Sequence, residues 1–225
     1  MSLNIQSVVV RLFRSRETYA HLLSLSVFNF IWQGSASFIP TFLRVEKSFT
    51  SVEATTAFAG LFAVGIFVTP VAGMLCERWQ PLHIVIVATG CGVDGLVTLL
   101  LGVSRPVLGA GLVVFAVGLT AVWPVMYVYL MDVLTTETIG SDLGVLRTIY
   151  LAVGSLGPAY VGTVATYFGY SVSFASLLAC FGLAACTLGW LVRRWIDDAH
   201  SVLGWLHQQS PELLLGSFFI IIVWL

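Results

Sequence analysis

Ionised side chains divide this chain into long runs that carry none, and the lengths of those runs predict its elements. Glu17 and Arg44 bracket 26 uncharged residues, and an apolar helix needs about 20 residues to cross a bilayer. A first span is therefore expected over about 19–43. Glu53 and Glu77 bracket a second over about 55–76, and Asp94 alone interrupts a third over about 82–103. Pro106 to Met131 is uncharged and supplies the fourth. Between Arg147 and Arg193 lie 45 uncharged residues, 148–192. That is too long for one span and right for two, divided near Tyr167-Phe168-Gly169-Tyr170-Ser171. The expected fold class is an all-α membrane protein of six transmembrane helices over 18–194.

Composition agrees. Hydrophobic residues make up 58% of the chain and charged residues 9%, against about 45–50% and about 25% in an ordinary soluble chain. Twenty-one charges cannot cover a surface of this size, so much of the solvent must be lipid. A net charge of −1 supplies no basic face for phosphates and excludes nucleic acid as a partner. Cys76, Cys91, Cys180 and Cys186 fall in or beside apolar runs without paired spacing, and read as packing residues. The basic residues give an orientation, because they avoid translocation. With both termini cytoplasmic, Arg11, Arg14, Arg16, Arg78, Arg147, Arg193 and Arg194 lie inside, and only Arg44, Lys47 and Arg105 lie outside. Residues 1–17 read as a cytoplasmic linker, and 195–225 as a polar then apolar tail, interfacial or truncated. The apolar stretch from Leu213 to Leu225 is too short to span.

Ser26, Asn29, Gln33 and Ser37 share one face of the first span. Amides are costly against lipid, so this face looks at other helices or at water. It is either an interhelical hydrogen-bonding seam or the wall of a cavity, with Trp32 beside it. A parallel stripe on the fourth span holds Thr120, Trp123, Tyr127 and Met131, with Pro124 loosening the backbone. Asp94 is the one acid deep in a span, which marks it either as a proton carrier or as a protonated group packed among Gly90, Cys91, Gly92 and Gly95. His21, His83, His200 and His207 form no metal set. No phosphate-cradling loop and no nucleophile–base set is readable, so neither cofactor nor enzymatic activity is expected.

Several stretches resemble the carboxyl-terminal half of a major facilitator superfamily transporter. Gly73-Met-Leu-Cys-Glu77-Arg78-Trp79 is similar to the family's loop signature between the second and third helices of each half, with Glu77 where the family has Asp and without the trailing Gly and basic pair. Gly118, Pro124, Tyr127 and Asp132 follow, then Gly144-x-x-Arg147, Gly154-x-x-Gly157-Pro158, Gly162, Phe168-Gly169-Tyr170 and Phe174. The resemblance covers roughly 18–194. It implies half of a twelve-helix fold, itself two inverted three-helix repeats, and Gly65-x4-Pro70-x2-Gly73 echoes Gly154-x3-Pro158-x3-Gly162 between those repeats. It further implies a secondary carrier of a small solute working by alternating access. Asn29, Trp32, Gln33, Trp123 and Tyr127 would then line a cavity, and Glu77, Arg78, Asp132 and Arg147 would form a cytoplasmic gate. One half cannot enclose a central site, so the expected partners are a second copy or an amino-terminal half, besides the bilayer and the solute. The alternatives are a non-transporting membrane scaffold or a fragment of a carrier.

Overall fold

The computed structural model describes residues 16–79, 81–134 and 139–209, the side chains of Glu17, Leu82, Tyr129, Asp132, Val133 and 192–209 excepted. The proposed linker is therefore outside the described residues except at its last two positions, and so is the apolar stretch 213–225. Among the described residues seven helices follow one another: α1 Arg16–Glu46, α2 Ser51–Cys76, α3 Pro81–Leu101, α4 Arg105–Val133, α5 Ile139–Gly154, α6 Leu156–Phe168 and α7 Tyr170–Gln209. They make six segments long and apolar enough to cross a membrane, because α5 and α6 continue one another as Ile139–Phe168. The chain is a multi-pass membrane protein.

Local chemistry explains each boundary. Thr50 caps α2 in a reciprocal box, its hydroxyl accepting from the Glu53 N–H while the Glu53 carboxylate accepts from the Thr50 N–H. Arg105 adds an ion pair to Glu53 at the start of α4. Lys47 reaches across to donate to the Leu100 and Gly102 carbonyls at 2.7 and 3.0 Å, where the end of α3 presents unpaired acceptors. The break between α5 and α6 has its cause in Pro158, which has no N–H to offer the Gly154 carbonyl four residues earlier. Gly169, at φ 84°, makes the turn from α6 into α7 in a conformation that suits glycine.

α1 is the central strut. It packs against α2, α5, α6 and α7, and 61% of its most apolar window is buried. α2 is the reverse, with 11% buried and Phe67, Ile66, Val71 and Met74 facing outward. α3 and α4 form the tightest pair: a Cβ on Gly118 would sit 2.2 Å from the Gly92 nitrogen, and one on Gly95 would sit 2.3 Å from the Phe115 nitrogen. Small residues let membrane helices approach until their backbones touch. Phe28, Phe115 and Phe181 then interlock edge to face between α1, α4 and α7.

Candidate functional site

A cleft of about 530 Å³ opens between α1, α2 and α4. Trp32 of α1 and Phe62 of α2 face each other across it, their rings perpendicular at 5.8 Å. α2 adds Gly65, Ile66, Thr69 and Pro70, and α4 adds Thr120 and Trp123. Gly65 lets the two helices approach closely, since a Cβ there would press on the Thr120 methyl at 3.0 Å. The aromatic lining continues beyond the cleft: Trp123 lies 5.9 Å from the Tyr150 ring, and the Tyr150 hydroxyl is hydrogen-bonded to that of Tyr127.

None of the residues lining the cleft carries a formal charge. Its polar capacity comes partly from the backbone. Pro70 and Pro124 sit inside α2 and α4, and neither can donate to the carbonyl four residues before it. Those carbonyls belong to Ile66 and Thr120, both of which line the cleft. The Thr120 hydroxyl is already committed to the Ala116 carbonyl at 2.7 Å. Each proline thus removes one ladder donor at a position that lines the cleft.

The structure separates the residues singled out in the sequence. Trp32 and Trp123 line the cleft, and Thr120 joins them from the same α4 stripe. Tyr127 stands one turn further along α4, against Tyr150. Gln33 is half-buried but is not among the lining residues. Asn29 is buried and donates to the Tyr150 carbonyl at 3.0 Å, so it serves the interhelical seam. Gly154 makes room for it, since a Cβ there would come within 2.0 Å of the amide nitrogen. Asp94 is exposed on the outer face of α3 with Ile86, Val87 and Leu101, apart from the cleft. Glu77, Arg78 and Arg147 are exposed, and no ion pair joins them to one another among the described residues. The Asp132 side chain is outside the described set. The sequence pattern does not single out Phe62, Ile66 or Thr69, and Gly65 and Pro70 stand out in it only as part of a repeat, although that pair is the signal that finds this wall.

Among the described residues, six membrane-length segments enclose an uncharged aromatic cleft that opens along one face. The chain belongs to the Major Facilitator Superfamily, whose family model matches residues 3–158. Among solved structures it is similar to a bacterial homologue of the human lysosomal transporter Spinster, in an inward-facing and unoccupied conformation, with a TM-score of 0.73 and 18% identity over 85% of this chain and 50% of that one. It is also similar to the human organic anion transporter MFSD10 (TETRAN), with a TM-score of 0.66 and 20% identity over 75% of this chain and 40% of that one. The chain thus spans about half the length of the solved structures it matches. No curated protein matches it.

Proposed function

We propose that this chain forms one wall of the solute pathway of a secondary transporter, and that its cleft holds an uncharged, largely flat apolar part of the solute. The observation that carries this reading is the lining: Trp32, Phe62 and Trp123 supply aromatic faces, and no lining residue supplies a charge. Aromatic faces favour planar apolar groups. The proline-freed carbonyls of Ile66 and Thr120 favour a hydrogen-bond donor on the solute. Openness of the cleft along one side implies a second wall, from another copy or from an amino-terminal six-helix half, with the two walls rocking about an axis along the membrane normal. Both termini face the cytoplasm of the cell membrane in this proposal, by the excess of arginine on that side. Glu77, Arg78, Asp132 and Arg147 lie at that end and act as the gate that makes and breaks charge contacts as the walls rock.

Proteoliposomes test the proposal. The chain, alone and co-reconstituted with an amino-terminal half, is assayed for entry of an uncharged aromatic glucoside, with succinate as the charged comparison. Glucoside entry that falls at least tenfold in Trp123→Ala and Thr120→Leu, in protein that remains monodisperse, is expected. Entry equal to that of empty vesicles in every pairing would instead favour a packing module without transport.

A further inference from the structure

A second groove, of about 500 Å³, lies between α1 and α7 at the end of the bundle where α1 begins. It is not part of the cleft, and its lining is graded along its length. Arg16 stands at its mouth, exposed, with no carboxylate partner among the described residues. Tyr19 and Trp190 form the rim, 51% and 41% exposed. Ala20, Leu23 and Cys186 make an apolar floor. A hydrogen bond of 2.7 Å between Ser24 and Thr187 fastens the two helices beneath it, so the groove is held open by a fixed brace.

Arg16 and Leu23 are separated by seven residues of helix, or about 10 Å along the axis. The headgroup layer of one leaflet is about 5–8 Å deep before hydrocarbon begins. The groove therefore runs from a cation through interfacial aromatics into the apolar layer, the same order a phospholipid presents. Tyr and Trp favour that boundary because one edge of each ring is wet and the rest is apolar. Basic pockets between membrane helices at such a boundary suit anionic headgroups.

The geometry points to a bound anionic phospholipid, its phosphate at Arg16 and an acyl chain along Leu23 and Cys186. Charge complementarity selects this occupant over the chain's own first segment. Residues 1–15 carry Arg11 and Arg14 and no acidic residue, so they offer nothing to pair with Arg16. In sequence, Arg193 and Arg194 follow Trp190 within four residues and are themselves followed by Asp197 and Asp198, so Arg16 is the cation on which the assignment rests. Glu17 stands about 100° around the helix from Arg16.

Native mass spectrometry of the chain extracted from vesicles of phosphatidylcholine with a minor fraction of phosphatidylglycerol tests the assignment. One retained phosphatidylglycerol is expected. Its occupancy should fall about fivefold in Arg16→Gln, the effect of one basic side chain at a membrane surface. It should fall as far in Cys186→Trp, which fills the groove from an exposed position, and should persist in Arg44→Gln at the opposite end. Each variant is first required to elute as a monodisperse species, and two independent variants keep the test open if one misfolds. Unchanged retention in either groove variant overturns the assignment, as does equal retention of phosphatidylcholine. Displacement by inorganic phosphate would make the ligand a free anion, and retention only after removal of residues 1–15 would make that segment the occupant; both outcomes overturn it too. Loss of solute entry in cleft variants with lipid retention intact would bear only on the transport proposal.

Discussion

Placing a methyl group on Gly118 puts it 2.2 Å from the backbone nitrogen of Gly92 and 2.7 Å from the Ala88 carbonyl oxygen. Ordinary contact begins near 3.4 Å, so α3 and α4 must separate by about 1.2 Å at that point. Both opposing atoms are backbone, and no rotamer change relieves the overlap. A radial gap of about 0.5–1 Å forfeits a quarter to a half of each dispersion well it opens. In a membrane no hydrophobic term compensates, because lipid tails are as apolar as the side chains they replace. Overpacking of this kind costs about 1–3 kcal/mol, partly offset by the better helix propensity of alanine, at most about 1 kcal/mol. Gly109 provides the control, since a Cβ there meets nothing within 4 Å on the same helix. Unfolding in mixed micelles under rising dodecyl sulfate, followed by tryptophan fluorescence, should show Gly118→Ala less stable than Gly109→Ala by about 1–3 kcal/mol. The separation also moves α4 relative to α2, so the Trp32–Trp123 cleft should become more accessible to aqueous quenchers. Equal stabilities for the two variants would refute the claim that backbone contact holds α3 to α4.

Other residues give shorter tests. Asn29→Val removes the bond to the Tyr150 carbonyl and should cost about 0.6 kcal/mol, and at most about 1.7, the range for interhelical bonds in membranes; quenching of the cleft tryptophans should not change. Gly154→Ala crowds the same amide from the other side, so combining it with Asn29→Ala should cost less than the sum of the two separate changes, as a double-mutant cycle would measure. Thr50→Ala opens the capping box of α2 and should destabilise it by about 0.5–2 kcal/mol, visible as faster hydrogen exchange confined to the first turn. Cysteines placed at Lys47 and Arg78 should react with a membrane-impermeant maleimide from opposite faces of the bilayer; reaction from one face would contradict the six-segment layout.

The six-segment count was legible because charge in hydrocarbon is expensive, but the charge gaps fix the ends only loosely: the first helix runs from Arg16 to Glu46 rather than over 19–43, and the fifth segment starts at Ile139, nine residues before 148, with Asp142 and Arg147 inside it. Glycine was legible as punctuation at the last turn, where Gly169 falls inside the expected division near 167–171, whereas the break after Gly154 appears only in the structure. Legibility failed at the faces of the helices. Phe67 is 74% exposed and Phe115 is fully buried, yet both sit in apolar runs with nothing to distinguish them. Lipid and protein interior present the same apolar environment, so burial leaves no mark in hydropathy. The polar stripe of α1 was visible, but both a seam and a cavity wall satisfy an amide, and only the position of Tyr150 assigns Asn29 to the seam.

By itself, then, the sequence determined how many times the chain crosses the bilayer and roughly where each span lies, because those are set by the local cost of charge in hydrocarbon. Tertiary structure alone decided that α2 faces α1 and α4 across an aromatic cleft, that Asp94 looks outward, and that Arg16 meets Trp190 at a groove. These depend on how close two backbones come, and that distance is set by pairs such as Gly92 and Gly118. Their 26-residue separation along the chain carries no hint of contact.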